Sequence, residues 1–356
     1  MSRRRAWAEL LRLPALFTVP GDALTGAVAA GARPNSRTLL AIGSSLCLYE
    51  AGMALNDWAD RAEDAAERPH RPLPSGRIHP TAALTAACAL TGAGLALAAR
   101  AGRPALTVAA PLAATVWAYD LALKHTPSGP AAMATARALD LLLGAAATSG
   151  HTRAALPSAA LLGTHTLAVT VVSRQETQGG SPLAPLTALT ATALLSGLLA
   201  HRPTGFPPDR TSDTGAGAVQ PEAAAPGRPI MSVPLPATAE PKAAARGRRP
   251  GPGHASRATP PSPPTCAQRT SHAWPPARAL TTALAAAYAA TAARPYFHAT
   301  LNPSPPLTQR AVGGGIRATI PLQAALSARS GAGLTALVIA GLAPLGRRFG
   351  RKVSVT

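Results

Sequence analysis

Three aspartates, Asp57, Asp60 and Asp64, follow one another at intervals of three and four residues near the end of an apolar stretch. On a helix this spacing places the three carboxylates on one face, with Asn56 beside Asp60 one turn away. Because the carboxylates repel one another, a positive group is expected between them. Mg²⁺ prefers oxygen ligands and is commonly held by one or two carboxylates together with phosphate oxygens. The pattern therefore predicts a Mg²⁺ site that binds a phosphorylated substrate.

Three arginines, Arg68, Arg71 and Arg77, lie in a turn-rich segment directly after the aspartates. A guanidinium group binds phosphate through two parallel hydrogen bonds, so these side chains are candidates to hold the same phosphates as the metal. The alternative is a solvated acidic helix end with basic residues beside it, which is the commoner meaning of an isolated acidic cluster.

The aspartates and arginines belong to a longer motif that resembles the first aspartate-rich motif of the UbiA family of intramembrane prenyltransferases. The matched residues are Asn56, Asp57, Asp60, Asp64, Arg68, Arg71, Pro72, Leu73, Ser75, Gly76 and Ile78. A match of this length is specific, whereas Asp-x-x-Asp alone arises by chance on surface helices. The segment from Gln309 to Arg329 also resembles the C-terminal part of an EboC-like actinobacterial branch of this family.

The resemblance implies transfer of a prenyl group from an isoprenyl diphosphate to a hydrophobic acceptor, often an aromatic one. Diphosphate departure leaves a carbocation-like allylic fragment, and positive charge beside the leaving group stabilises the negative charge that develops on it. The expected catalytic residues are Asp57, Asp60, Asp64 and Lys124, with Mg²⁺ as the cofactor. The three aspartates and Glu176 are the expected metal ligands. The expected substrate-binding residues are Asn56, Arg68, Arg71, Tyr119, Arg137, Asp140, Arg174 and Glu176.

Several of these residues lie at the ends of other apolar stretches or inside them. Tyr119 and Lys124 resemble the Tyr and Lys that follow the fourth helix in the UbiA family, although interfacial anchors would have the same sequence. Arg137 and Asp140 lie three residues apart inside an apolar stretch, where ionisable residues are functional candidates by default. A mutual structural ion pair between these two residues is an equally good interpretation.

The family's second aspartate-rich motif is altered in this chain. Its expected position holds Ser173 to Gly180, in which the one carboxylate is Glu176. A second Mg²⁺ site of full strength is therefore in doubt, and Arg174 is expected to supply positive charge directly to phosphate.

The composition predicts an all-α polytopic membrane helix bundle of about nine transmembrane helices. The chain has 356 residues, of which 47% are hydrophobic and 14% charged. Apolar stretches of spanning length occur at about 13–32, 38–55, 81–99, 105–123, 130–148, 156–172, 183–200, 277–293 and 318–345. A soluble helical bundle is the alternative, but most of these stretches lack the polar stripe that a soluble helix needs.

The net charge of +19 and the scarcity of aromatic residues, at 3%, indicate the kind of partner. Nucleic-acid binding through stacked bases requires aromatic side chains, so no nucleic acid is expected. The arginines lie mostly between apolar stretches, where phosphate ligands and anionic lipid headgroups of the bilayer are the expected partners. The three cysteines have no metal-type spacing.

The chain is predicted to divide into residues 1–201, a disordered linker rich in Pro, Gly and Arg at 202–274, and residues 275–356. Basic residues in short loops place the aspartate motif on the cytoplasmic side of the cell membrane. With nine spans, however, the basic tail formed by Arg347, Arg348, Arg351 and Lys352 would lie on the other side, against the same rule.

Two other functions remain open from the sequence. One is a non-catalytic protein of the same fold that handles or exports a precursor, which the altered second motif supports. The other is a UbiA-type terpene synthase, which would form its product without an acceptor.

Overall fold

The structure of the chain is a computed structural model that describes residues 3–12, 17–176, 181–201 and 275–353. The helices on both sides of the predicted linker form one compact unit, which comprises residues 1–203 and 272–356. The linker itself, residues 202–274, lies outside the described residues.

The described residues form twelve α-helices and no β-strand, which confirms the predicted all-α class. The helices are α1 (Arg3–Leu10), α2 (Val19–Ala29), α3 (Ser36–Ala59), α4 (Arg61–Glu67), α5 (Pro80–Ala101), α6 (Arg103–Ala118), α7 (Gly129–Ser149), α8 (Leu156–Ser173), α9 (Leu183–Ala200), α10 (Pro275–Leu301), α11 (Pro305–Arg329) and α12 (Gly333–Val353). A π-helical turn, Tyr119–Leu123, continues α6 toward Lys124.

Six helical segments of the described chain are long and apolar enough to cross a membrane, so the protein has the character of a multi-pass membrane protein. They are Ser36–Ala59, Pro80–Ala101, Arg103–Leu123, Gly129–Ser149, Arg153–Ser173 and Leu183–Ala200. The predicted count of about nine is not confirmed. The first predicted stretch is described from residue 17 onward, and there it contains one α-helix, α2, whose 11 residues extend about 16 Å, because Pro20 lies in its first turn and Gly31 follows its end with φ 75°.

The last predicted span, 318–345, is wrong, because two helices occupy it. Helix α11 ends at Arg329, and Gly331 then adopts φ 84°, a left-handed conformation that is readily accessible to glycine and reverses the chain. Arg329 donates to the carbonyl of Leu198 at the end of α9. Helix α12 runs back, since a Cβ on Gly346 would lie 3.4 Å from Phe17, just before α2.

Close contact between α2 and α7 fixes the helices that carry the polar residues. A Cβ on Gly144 would lie 2.2 Å from the carbonyl oxygen of Ala23, and one on Gly26 would lie 1.9 Å from that of Leu141. Small residues allow backbones in a membrane bundle to approach this closely. Helix α7 also packs against α6 and α8, and α3 packs against α5 and α7. As a result, α3, α6 and α7 surround a common space.

Candidate functional site

A cavity of about 250 Å³ lies between α3, α6 and α7. The middle of its lining is mostly apolar. Along α3, the polar side chain of Ser45 lies at one end of the lining and that of Asn56 at the other. These two residues are about 16 Å apart along the helix. The lining residues are Arg12, Ser45, Leu48, Tyr49, Gly52, Met53, Asn56, Leu112, Val116, Tyr119, Asp120, Met133, Ala136, Arg137 and Asp140.

The predicted aspartates gather near the Asn56 end of this cavity, but they do not share one helical face. Helix α3 ends at Ala59 and α4 begins at Arg61, so Asp60 lies at the junction of the two helices. Asp57 and Asp64 are buried, with 5% and 3% of their surface exposed, while Asp60 is half-buried. Asp60 also has a different partner from the other two aspartates.

Arginine side chains neutralise the two buried aspartates. Arg71 Nη1 donates to Asp64 Oδ2 at 2.7 Å and lies 3.6 Å from Asp57 Oδ1. Arg68 Nη1 lies 3.8 Å from Asp64 Oδ1, and Arg12 Nη2 lies 3.4 Å from Asp57 Oδ1. The structure therefore brings two of the three predicted loop arginines onto the aspartates, and each buried carboxylate has two guanidinium groups beside it. The third loop arginine, Arg77, instead donates to Glu9 of α1.

Arg12 is an additional residue of this cluster, and its backbone is strained. Its φ is 46°, the one positive value among the described residues other than glycine. Such conformations cost free energy and persist where surrounding contacts enforce them, often at functional sites. Here the turn after α1 aims the guanidinium of Arg12 at Asp57 and into the cavity.

Lys124 contacts the third aspartate at the mouth of the cavity, which is its Asn56 end. Its Nζ forms an ion pair with Asp60 Oδ1, and its side chain is only 9% exposed. The π-helical turn before Lys124 places Tyr119 and Asp120 along the cavity. Asn56 Nδ2 donates to Asp120 Oδ1 at 3.2 Å. Mid-helix π turns are frequent at functional sites, and this one brings α6 to the aspartate motif.

One group of potential metal ligands in the described chain meets metal-type spacing, and it contains one motif aspartate. Ligand atoms of Asp60, Glu63 and His125 all lie within 4.8 Å of one another. The other two motif aspartates, Asp57 and Asp64, contact arginine. The carboxylates of Asp60 and Glu63 are hard oxygen donors of the kind that Mg²⁺ prefers, so the chemistry of this end of the site fits the predicted cation.

The altered second motif is described as far as Glu176; residues 177–180 lie outside the described residues. Arg174 is exposed and donates to the carbonyl oxygens of Thr126 and His125, at 3.4 Å to the latter, so it holds the loop after Lys124. Glu176 is half-buried, and burial raises its pKa while the nearby Arg68 lowers it. Glu176 is therefore close enough to Arg68 for a direct electrostatic effect.

The Ser45 end of the cavity contains the predicted pair Arg137 and Asp140, each with a different partner. Arg137 Nε lies 3.0 Å from Asp22 Oδ2, and Nη2 donates to the carbonyl of Thr18 at 3.2 Å. Asp140 Oδ1 accepts from Ser45 Oγ. The alternative of a mutual Arg137–Asp140 ion pair is wrong, because α2 supplies the carboxylate that pairs with Arg137.

Sequence reasoning missed several polar residues of the site. Gln323 of α11 donates to Asp22 Oδ1 at 2.6 Å and to the Thr18 carbonyl at 2.8 Å, which braces the partner of Arg137. Asp22 and Asp120 both lie inside apolar stretches, where a charged residue is a functional candidate. The position of these two aspartates in apolar stretches could therefore have identified them from the sequence. Gln323 carried no comparable signal, since a neutral amide in a helix has many roles.

Comparison with known proteins agrees with this arrangement of helices and charges. The sequence profile of the UbiA prenyltransferase family matches residues 16–201, just over half of the chain. The chain belongs to the UbiA prenyltransferase family. This assignment accounts for the aspartate-rich motif and the multi-pass helical fold.

Curated relatives with similar sequences are archaeal. A digeranylgeranylglyceryl phosphate synthase from Methanopyrus kandleri is 33% identical over 123 residues, which are 35% of this chain and 45% of that protein. One from Natronomonas pharaonis is 31% identical over 178 residues, which are 49% of this chain and 64% of that protein. The chain thus spans about half the length of the curated relatives it matches. These relatives give no support to the EboC-like branch.

Two solved structures share the fold. One is of digeranylgeranylglyceryl phosphate synthase in membranes, with a TM-score of 0.53, 14% identity and coverage of 93% of this chain and 99% of that chain. The other is a UbiA homolog from Aeropyrum pernix K1, with a TM-score of 0.54, 15% identity and coverage of 87% and 96%. At such identities they show the fold alone.

Proposed function

We propose that this chain transfers an isoprenyl group from an isoprenyl diphosphate to a hydrophobic acceptor inside the membrane. The observation that carries this proposal is the convergence of Arg12, Arg68, Arg71 and Lys124 on the motif aspartates at the mouth of a mostly apolar cavity. Four cations beside carboxylates suit a ligand that is highly negative at one end. The apolar middle of the cavity suits a hydrocarbon chain at the other end.

The residues at the mouth are proposed to bind the diphosphate. Arg68 and Arg71 offer guanidinium groups for bidentate contacts with phosphate oxygens, and Lys124 offers a compact charge. The amide of Asn56 lines the cavity at this end. Asp57, Asp60 and Asp64 are proposed to hold Mg²⁺, with Glu176 as a weaker further ligand. When bound, Mg²⁺ would neutralise the negative charge that develops on the departing diphosphate.

The walls of the cavity are proposed to hold the isoprenyl chain and to exclude water, which would otherwise capture the reactive allylic fragment. Leu48, Met53, Leu112, Val116 and Met133 supply this apolar surface. Tyr119 lies at its edge, between the hydrocarbon and the charged mouth. Arg137 and Asp140 at the other end are proposed to hold a polar group of a substrate.

The acceptor has two candidate classes. The curated relatives act, by their names, in the synthesis of digeranylgeranylglyceryl phosphate, which favours a glycerol phosphate lipid as the acceptor. An aromatic acceptor is the second candidate, because the UbiA-type motif is also typical of enzymes that prenylate aromatic compounds. Assignment to an EboC-like branch stays a prediction from residues 309–329 alone.

We further propose that the cavity mouth faces the cytoplasm and that residues 202–274 are a dispensable linker. The arginines around the aspartate motif support this side through the positive-inside rule. The return of α12 supports it too, because the basic tail then lies at the same end of the bundle as the start of α2. A short Gly/Ser segment in place of the linker should leave turnover intact.

The decisive experiment combines membranes that contain the protein with labelled dimethylallyl, geranyl and geranylgeranyl diphosphates. Prenylated lipid in the extract together with diphosphate release is the expected result. A glycerol phosphate monoether lipid and a hydroxybenzoate, added separately, distinguish the two acceptor classes. Binding of diphosphate without release would favour the non-catalytic alternative. A hydrocarbon product formed without any acceptor would favour a terpene synthase.

A further inference from the structure

Asp120 is a cavity-lining carboxylate near the aspartate motif that is not paired directly with a cation, although the charges of Lys124 and Arg12 act on it. It is 6% exposed, and among the described residues it forms no ion pair. In contrast, Asp57 and Asp64 contact arginine and Asp60 contacts lysine. One oxygen of Asp120, Oδ1, accepts a hydrogen bond from Asn56. The other, Oδ2, accepts no hydrogen bond within the described part of the chain, so it is available to a substrate.

The position of Asp120 matches the place where bond formation must occur. The reacting carbon, C1, is bonded to the diphosphate and therefore lies near Asn56 at the charged mouth. A nucleophile must come within about 3–3.5 Å of that carbon, and a base must lie within hydrogen-bond reach of the nucleophile. Asp120 contacts Asn56 directly. Asp140 contacts Ser45, about 16 Å away along α3, and is too far for this role.

The free oxygen of Asp120 lies close to the backbone of α3. A Cβ on Gly52 of α3 would lie 3.0 Å from Val116 Cγ1 and 3.9 Å from Asp120 Oδ2. The Oδ2 atom thus lies against the α3 backbone at a lining residue, one turn before Asn56. Asp120 lies in the π-helical turn that begins at Tyr119, so its side chain does not follow the α-helical spacing of α6.

We propose that Asp120 is the general base that removes the acceptor's proton, an inference that rests on the proposed prenyl transfer. The bond between C1 and the diphosphate oxygen breaks, and its electron pair leaves with the diphosphate. A new bond forms between C1 and the acceptor atom, which supplies the electron pair. The proton displaced from that atom passes to Asp120 Oδ2. The hydrogen bond from Asn56 fixes the carboxylate while this occurs.

The test is Asp120→Asn in native membranes, which supply the acceptor, with labelled geranylgeranyl diphosphate as the donor. Asparagine keeps the shape and can still accept from Asn56, but it cannot take a proton. Because a positioned base contributes about 10²–10⁴-fold, kcat for transfer should fall at least about 100-fold. The KM for the donor and the Kd of its unreactive thiolodiphosphate analogue should stay within about threefold. Asp120→Glu should restore part of the rate.

Glu50→Gln is the matched control. Glu50 of α3 is another buried carboxylate, 8% exposed, that does not line the cavity, so its amide variant should keep the wild-type rate. An Asp120→Asn protein with a near wild-type kcat would overturn the assignment, as would a parallel loss of analogue binding, which would place Asp120 on the diphosphate. Wild-type membranes that bind the analogue but release no diphosphate would contradict the prenyl transfer itself.

Discussion

Arg71 donates to Asp64 at 2.7 Å across a separation of seven residues. The loop after α4 therefore folds back onto the aspartate motif. This arrangement keeps the two buried carboxylates, Asp57 and Asp64, close to guanidinium groups that a phosphorylated ligand could also bind. The need for a guanidinium group at position 71, as opposed to any positive charge, can therefore be tested.

Arg71→Lys should lower kcat/KM by at least about tenfold, because an ammonium cannot make the paired contacts of a guanidinium. The charge is conserved, so the loss would report geometry. The control is Arg61→Lys. Arg61 lies over the Trp58 ring at 4.4 Å, outside the cavity, and its change should have little effect. Equal kinetics for the two variants, measured as diphosphate release, would contradict the proposed role of Arg71.

Asp60→Asn should remove most of the turnover and raise the Mg²⁺ concentration needed for the remainder, because it takes away a carboxylate shared by Lys124 and the Glu63–His125 group. Glu176→Gln should be milder, since a single half-buried carboxylate replaces the family's second aspartate motif. A Mg²⁺ titration of both variants, with Glu67→Gln as an exposed acidic control, provides the measurement. Turnover that persists in EDTA would disprove the metal-assisted mechanism.

Gly144→Ala should destabilise the bundle by more than about 1 kcal/mol, because the added Cβ meets a backbone carbonyl oxygen, not a flexible side chain. The matched control is Gly92→Ala in α5, where nothing lies within 4 Å and alanine improves helix propensity. Thermal unfolding in detergent should therefore move in opposite directions for the two variants. Equal midpoints would mean that α2 and α7 separate easily.

Cysteines introduced at Ala62 and Arg348 should be labelled from one side of the membrane, and a cysteine at His151 from the other. The first two lie at the end of the bundle that carries the aspartates, and His151 follows the far end of α7. The background protein should lack native cysteines, of which Cys88 is exposed. Labelling of Ala62 and Arg348 from opposite sides would contradict the return of α12.

The pair formed by Glu9 and Arg77 should make a small pH-dependent contribution to stability. Arg77 donates to Glu9 at 2.7 and 3.2 Å, and these contacts lower the pKa of Glu9 below its ordinary value of 4.5. A carboxyl group whose pKa is lowered by folding contributes its full stability at pH values above its ordinary pKa. This stability is lost as the pH falls through the lowered pKa. Near neutral pH, the free energy of unfolding of the wild type should exceed that of Glu9→Gln by less than about 1 kcal/mol. The two unfolding midpoints should converge in acid.

The sequence was sufficient for the helical class and for most of the charged mouth, because both depend on local patterns. Long apolar stretches define membrane helices, and the motif from Asn56 to Ile78 is contiguous. It could not predict that α3 would end at Ala59 and leave Asp57 and Asp64 on different helices, since the break between α3 and α4 has no glycine or proline to mark it. Pairing of Arg137 with Asp22 was equally hidden, because 115 residues separate them and only the packing of α2 on α7 joins them.

The turn at Gly331 also affects how the protein acquires its orientation during synthesis. With α12 running back, its basic last turns, 347–352, end at the same end of the bundle as the start of α2, and α1, whose sequence begins with arginines, contacts the loop of the aspartate motif. Under the proposed orientation, either group of charges favours the same insertion, so we expect the orientation to be encoded twice. Neutralising one group alone should leave the protein correctly inserted. Inversion should require the loss of both groups, together with the arginines around the aspartate motif.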